Sequence, residues 1–375
     1  MILVVVGTRP EAIKMAPVVL ALRNHVHAVP VRLLLTGQHD TLATDVLRSF
    51  GLTPDGNLGI MREAQTLYDV AQGCLAGIRD EIRRSTPRLI LVQGDTASVF
   101  FGALTGFFEG IPVGHVEAGL RSGDMARPFP EEGFRRMTGV LARLHFAPTP
   151  GAAENLRREG VPDDRIHVTG NTVVDALLDI TRRTSEPRDS DLRTLLSSGH
   201  RFALLTTHRR ESWGPPLERI LTAVLRLVHE TPDLRLLVPV HPNPRVRDTV
   251  VRDLGNHPRI HLTPPLGYED LALALAGAAL VLTDSGGIQE EAPTFGVPLL
   301  VLREVTERPE GVEAGVAELV GSDPERILAA AQRALSADDQ GREGREGRRR
   351  ANPYGDGRAG LRIADIVADF LEAGR

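Results

Sequence analysis

Cysteine is nearly missing from this 375-residue chain, with Cys74 the sole one. An internal disulfide is excluded, and a reducing compartment is implied. Cys74 falls at an apolar position of a helical pattern and is expected to act as a small core residue. No apolar run reaches the roughly 18 residues of a membrane-spanning helix, so no membrane partner is expected. The net charge of −5 gives no general basic face and disfavours nucleic acid as a partner. Metal-ligand spacings of Cys or His are absent, as are a Gly-x-Ser-x-Gly turn and a P-loop lysine pattern. The start, Met1 to Gly7, has no positive leader segment or cleavage site. It reads as a first strand, and a cytoplasmic location is the expectation.

What is present is ordinary for a soluble globular protein, with 42% hydrophobic and 25% charged residues. The length suits two domains of about 150–200 residues. In the first half, short apolar runs predict strands at Ile2–Val6, Val31–Leu35, Leu89–Val92, Pro112–Val116 and His145–Ala147. Helical spacing lies between them, most clearly over Leu67–Ile82 and Val99–Phe108. Strands alternating with helices predict an α/β fold with a parallel, doubly wound sheet, whose ligands bind at the carboxyl ends of the strands. Arg9, His39, Asp95 and Glu117 all fall just after strands and read as one site. Arg9 and Lys14 flank a helix start and suit a phosphate or a carboxylate, although a solvated helix end also accounts for them. Gly119–Arg136 is a long loop with two prolines that leads into a helix near Glu131, and ordered loops of that length are often functional. A glutamate at a helix start is also explained by the dipole alone.

A second α/β run follows, with strands at Phe202–Thr206, Leu234–Val240 and Ile260–Leu262; His208 and His241 fall after strands here. The most organised stretch is Leu280–Glu291. A strand over Ala278–Leu282 stops at Thr283-Asp284-Ser285-Gly286-Gly287; a helix then runs to about Phe295, with Gly296 as its stop. Glycines at a strand-to-helix turn let an anion approach free backbone N–H groups at a helix start. A plain βα turn without a ligand has the same sequence. A turn further on, Glu290 and Glu291 could take ribose hydroxyls. Asp338–Arg350, dense in Gly, Arg and Glu, is expected to be a mobile surface stretch. An amphipathic helix over Ala359–Leu371 ends the pattern.

Taken together these motifs closely resemble the bacterial non-hydrolysing UDP-N-acetylglucosamine 2-epimerases. The resemblance rests on Gly7–Pro17 (GTRPEAIKMAP), Gly94-Asp95-Thr96, Gly114–Gly119 (GHVEAG), Pro130-Glu131-Glu132, Gly170–Leu177 (GNTVVDAL), His208–Ser212 (HRRES), Val240–Asn243 (VHPN), Thr283–Pro293 (TDSGGIQEEAP), Thr306–Glu310 (TERPE) and Asn352–Gly357 (NPYGDG). It spans almost the whole chain, in the family's order. It implies two Rossmann-like domains of the glycosyltransferase-B type facing across a cleft that holds a UDP-sugar. The domains would be 1–170 and 171–357, with a last helix, 358–375, returning to the first. A homodimer and no cofactor are also implied.

The chemistry the resemblance implies is inversion at C2 of the sugar. UDP is eliminated to give 2-acetamidoglucal and is then added back, with one group removing the C2 proton and another serving the opposite face. Asp95, Glu117 and Glu131 match the acid/base positions, and His208 a position linked to the departing UDP. Arg9, Lys14, Ser285, Gly286 and Gly287 could supply charge and N–H groups to the diphosphate, with Arg135 and His241 also in the substrate site and Glu291 on the ribose. No metal is required. Two departures are visible. Phe134 stands where the family usually has Asn, so a polar contact near the sugar or its loop is expected to be missing. Gln38 and His39 match the region where bacterial members bind a second UDP-GlcNAc as activator, but Thr41 and Ala64 replace longer polar residues there, one commonly an arginine. Losing an arginine removes a bidentate diphosphate partner, so activation is expected to be weak or absent.

Overall fold

The computed structural model describes all residues except Ala28, Gln38, His39, Glu63, Ala64, 339–341, Ala351 and Arg375, and leaves undescribed the side chains of 40, 41, 337, 338, 342–344 and 350. The activator positions Gln38, His39 and Ala64 therefore lie outside the described residues. Strands and helices alternate as the apolar periodicity predicts. In order they are β1 (Ile2–Val6), α1 (Arg9–Arg23), β2 (Val31–Leu35), α2 (Asp40–Ser49), β3 (Gly56–Asn57), α3 (Leu67–Ser85), β4 (Leu89–Gln93), α4 (Ala97–Phe108), β5 (Val113–Val116), α5 (Glu131–Leu141), β6 (Leu144–Ala147), α6 (Pro150–Arg158), β7 (Ile166–Val168) and α7 (Thr172–Arg183). The second run is α8 (Ser190–Ser197), β8 (Arg201–Thr206), α9 (Pro215–Glu230), β9 (Leu234–Pro239), α10 (Pro244–Leu254), β10 (Ile260–Thr263), α11 (Tyr268–Gly277), β11 (Leu280–Thr283), α12 (Gly286–Glu291), β12 (Leu299–Val301), α13 (Pro309–Glu313), β13 (Ala317–Leu319), α14 (Pro324–Asp338) and α15 (Arg342–Arg350), before a last helix, α16 (Ala359–Ala373). Two compact units result, 1–179 with 354–375, and 180–353.

The first unit holds a seven-stranded sheet in the order β3-β2-β1-β4-β5-β6-β7. Its named pairings are all parallel. Parallel strands covered on both faces must be apolar throughout, and β1 and β4 are buried along their whole length. Leu3, Val5, Ile90 and Val92 pack against Cys74, Ile78 and Ile82 of α3 and Val99 and Ala103 of α4. Burial raises the Cys74 thiol to about 12, so it is an inert core residue, as expected. The order of the strands reverses between β1 and β4. There neighbouring loops diverge to opposite faces and open a crevice at the carboxyl ends.

Two motifs of the first unit meet in a joint rather than at the strand ends. The buried Asp175 of α7 accepts from Ala359 N (3.1 Å) and Gly360 N (2.8 Å), capping α16. Asn171 N donates to Tyr354 O at 2.7 Å. α16 lies against α1, with Gly360 close enough that an added Cβ would meet Pro17 O at 2.9 Å.

The second unit repeats the plan with six parallel strands, β10-β9-β8-β11-β12-β13, and its order reverses between β8 and β11. Two cores flank this sheet, one under α9, α10 and α14, the other under α8, α11 and α12. The expectation for Asp338–Arg350 is corrected here, because α15 is helical from Arg342. It has no apolar stripe and docks through polar groups. Arg345 donates to Ala278 O (3.1 Å) and Arg348 to Gly296 O (2.6 Å). Gly296 sits at φ +67°, and a Cβ there would meet Arg345 O at 2.1 Å, so glycine is required by backbone and neighbour alike. Among the described residues no helix is long and apolar enough to cross a membrane.

Candidate active site

In the first unit the reversal point brings together the loops after β1 and β4, with the loop after β5 alongside. Gly7 follows β1 and packs against Ser98, where an added Cβ would sit 2.2 Å from Ser98 Oγ. Thr8 caps α1, and Pro10 occupies its first turn, where a missing N–H is harmless. Arg9 is half-buried there, and its side chain makes no hydrogen bond or ion pair among the described residues. One turn on, Lys14 pairs with Glu117. Glu117 follows β5 in a left-handed backbone conformation, φ +64°, uncommon for a residue with a side chain and frequent where function fixes geometry. Its second oxygen accepts from Gln93 Nε2, at the end of β4. The carboxylate also lies beside Gly94, 3.8 Å from where a Cβ would stand. Asp95, next in the chain, pairs with Arg135 of α5. Glu131 opens α5 one turn before Arg135, half-buried, its side chain without a hydrogen bond or ion pair among the described residues.

Phe134 packs inward, away from the strand ends. It is 8% exposed and stacks on Phe100 of α4, with ring centroids 5.3 Å apart and planes 12° from parallel. Its side chain belongs to the apolar core. Residues that strand-end reasoning missed lie directly behind the carboxylates. Glu11 is buried and accepts from Gly7 N (2.6 Å), Thr8 Oγ1 (2.8 Å) and Thr96 Oγ1 (2.8 Å). Burial raises its pKa to about 7, against the pull of those donors. Thr8-x-x-Glu11 is the spacing of a capping box, and that signal could have found it. His115, mid-run in β5, is 1% exposed and bonds Gly94 O through Nε2 at 2.8 Å. Burial lowers its pKa to about 3, so the ring is neutral and Nε2 carries the donated proton.

In the second unit the loops after β8 and β11 meet. Asp284, fully buried, accepts from His208 N (3.1 Å), Arg209 N (3.0 Å) and Ser212 Oγ (2.9 Å), and lies 3.0 Å from His208 Nδ1. Burial pushes its carboxyl upward, but the His208 ring and the other donors outweigh burial and hold it below the usual range. His208 is fixed at Nδ1 and exposed elsewhere, with its ring centroid 6.3 Å from that of His241 at the end of β9. Ser285 caps α12, its own N–H turned back to Thr283 Oγ1 at 3.0 Å. Gly286 and Gly287 open α12, whose first N–H groups have no partner within the helix. Arg209 approaches this turn, its Nη2 3.3 Å from a Cβ placed on Gly286, and was another residue the strand-end pattern did not single out. Glu290 is buried and paired with Arg308, whereas Glu291 remains half-buried at the end of α12.

The class is thus an α/β protein of the glycosyltransferase-B type. It carries a carboxylate-rich strand-end group in one unit and a histidine and glycine-turn group in the other. The sequence model of the UDP-N-acetylglucosamine 2-epimerase family matches residues 3–368. A Thermotoga maritima relative is 48% identical over 98% of this chain and 96% of its own. The UDP-N-acetylglucosamine 2-epimerase of Bacillus subtilis is 44% identical over 97% of this chain and 94% of its own. The Neisseria meningitidis UDP-GlcNAc 2-epimerase, solved bound to UDP-GlcNAc, matches with a TM-score of 0.82 at 36% identity, over 99% of each chain. This chain belongs to the UDP-N-acetylglucosamine 2-epimerase family.

Proposed function

We propose that the protein is a non-hydrolysing epimerase, an isomerase that interconverts UDP-N-acetylglucosamine and UDP-N-acetylmannosamine. The observation that carries this reading is the pair of carboxylates on adjacent strand ends, Asp95 and Glu117, each beside a cation. A glycosyl transfer to an acceptor needs no base at C2, whereas epimerisation needs one for each face of the sugar. One carboxylate among Asp95, Glu117 and Glu131 takes the C2 proton. The C–H electrons form the C1=C2 bond, and the C1–O bond to UDP breaks. Another carboxylic acid returns a proton to the opposite face, and the UDP oxygen re-adds at C1. Arg9, Lys14, His208, Arg209 and the N–H groups of Gly286 and Gly287 stabilise the departing diphosphate. Ser285, His241 and Arg135 complete the binding set, and Glu291 takes the ribose. No cofactor is required, since the proton and UDP both return to the same carbons.

The enzyme acts as a homodimer in the cytoplasm. Phe107 and Phe108 of α4, 60% and 67% exposed, and Val140 of α5, 85% exposed, support self-association through neighbouring helices. Gln38 and His39 belong to a vestigial activator site. Incubation with UDP-GlcNAc in deuterated water tests the central reading. UDP-ManNAc carrying deuterium at C2 is the expected product. Free N-acetylmannosamine with UDP would instead mark a hydrolysing enzyme, and no exchange at C2 would reject both.

A further inference from the structure

Asp95 lies between two residues that are each gripped by a buried titratable side chain from a different segment. On one side Gly94 O accepts from His115 Nε2 at 2.8 Å. On the other, Thr96 Oγ1 bonds Glu11 Oε1 at 2.8 Å. Among the described residues the Asp95 side chain makes one ion pair, with Arg135. One ion pair fixes the tip of a side chain and does not by itself set the loop that carries it, whose backbone is also tied through Gly94 N to Val116 O at 3.1 Å. A displacement of about 1 Å in a reacting group can lower a rate by roughly a hundredfold. We propose that Glu11 and His115 are positioning residues that clamp the Gly94–Thr96 loop from both sides, so that Asp95 meets C2 of the sugar in one geometry; this rests on the 2-epimerase reading above.

Neither residue is explained by packing alone. His115 is 1% exposed, and its Nδ1 has no hydrogen-bond partner among the described residues. A buried polar atom without a partner is unfavourable, and an apolar side chain of similar volume would avoid the loss. What such a side chain lacks is an N–H donor for Gly94 O. Glu11 is 2% exposed and holds the loop after β1 through Gly7 N and Thr8 Oγ1 while reaching the loop after β4 through Thr96. It therefore sets the spacing of the two loops on either side of the strand reversal. Donors from both loops converge on the one buried carboxylate and give it directed bonds to each.

Three variants test the clamp. Thr96→Val keeps the shape and removes only the bond to Glu11. His115→Leu removes the donor to Gly94 O, and His115→Gln can restore one. The readouts are C2 exchange kinetics and amide hydrogen exchange across residues 94–97 in the protein without substrate. Thr96→Val and His115→Leu are expected to lower kcat at least about tenfold with KM changed by no more than about twofold, while His115→Gln recovers most of the rate. Loop amide exchange is expected to accelerate about tenfold in the first two variants. Unchanged loop exchange in Thr96→Val overturns the clamp, as does a KM that rises in step with the loss of kcat. A His115→Gln variant as impaired as His115→Leu counts against the donor role. Amide exchange needs no turnover, so an inert wild type speaks against the epimerase reading alone, and an undisturbed loop speaks against the clamp alone.

Discussion

In the first unit, the carboxylate that ties the loops after β1 and β4 is Glu11; in the second, the one that ties those after β8 and β11 is Asp284. Both are buried, both stand at the point where strand order reverses, and their pKa values move in opposite directions. Burial raises both. Glu11 meets three neutral donors, which do not offset the lost hydration, and it ends at about 7. Asp284 adds an imidazole at 3.0 Å to two backbone N–H groups and a hydroxyl, and it ends below its ordinary value. The same tie is thus made by a group that readily holds a proton and by one that keeps its charge. The first suits a loop that must be placed without adding charge near other carboxylates. The second suits a loop that is held by a charged acceptor and carries a histidine.

The largest expected effect concerns the carboxylates of the first unit proposed above as acid and base. Asp95→Asn and Glu131→Gln should each lose C2 exchange by at least about 10²-fold, while UDP affinity measured by calorimetry stays within about threefold if the second unit holds the nucleotide. Equal losses in both would erase the division of labour between the units. Next, the folded state holds the Glu11 proton up to about pH 7, whereas an unfolded chain releases it near 4.5. Stability from this group therefore falls as pH rises through that window, by up to about 3 kcal/mol. Urea unfolding at pH 5 and pH 8 should show that fall in the wild type and not in Glu11→Gln; parallel curves would show that burial does not shift the group.

Asp284→Ala should destabilise the second unit by about 2 kcal/mol, because His208 N, Arg209 N and Ser212 Oγ lose their common acceptor. A neutral result in denaturant unfolding would make the tie dispensable. Gly296→Ala forces a side chain into a left-handed position against Arg345 O, and a loss of about 1 kcal/mol or more is expected from thermal unfolding. The smallest effect is kinetic. Trace UDP-GlcNAc should raise the initial rate with UDP-ManNAc by less than about twofold, and a strict requirement for it would restore the activator site.

Most strands were legible because a buried parallel strand must be apolar over nearly its whole length, as Ile2–Val6 and Leu89–Val92 are. The strand-end residues were legible for the same reason, since polarity returns where the strand stops. Residues that act from within the pattern were not. His115 interrupts an apolar run by one position, Gln93 ends one, and nothing local says that either side chain reaches a neighbouring loop. The core packing of Phe134 was not legible, because its helix face depends on how α5 sits on α4. The Arg342–Arg350 helix was illegible because it docks by arginines on backbone carbonyls instead of an apolar stripe.

By itself the sequence determined the α/β alternation, the identity of the strand-end groups and the family, because these follow from local periodicity and from motifs in a fixed order. Tertiary structure decided which loops became neighbours at each strand reversal, and so which buried side chain holds which loop. Hydrogen bonds such as Glu11–Thr96 and Asp284–His208 join residues 85 and 76 positions apart, and only the packing of the sheets brings such groups within reach.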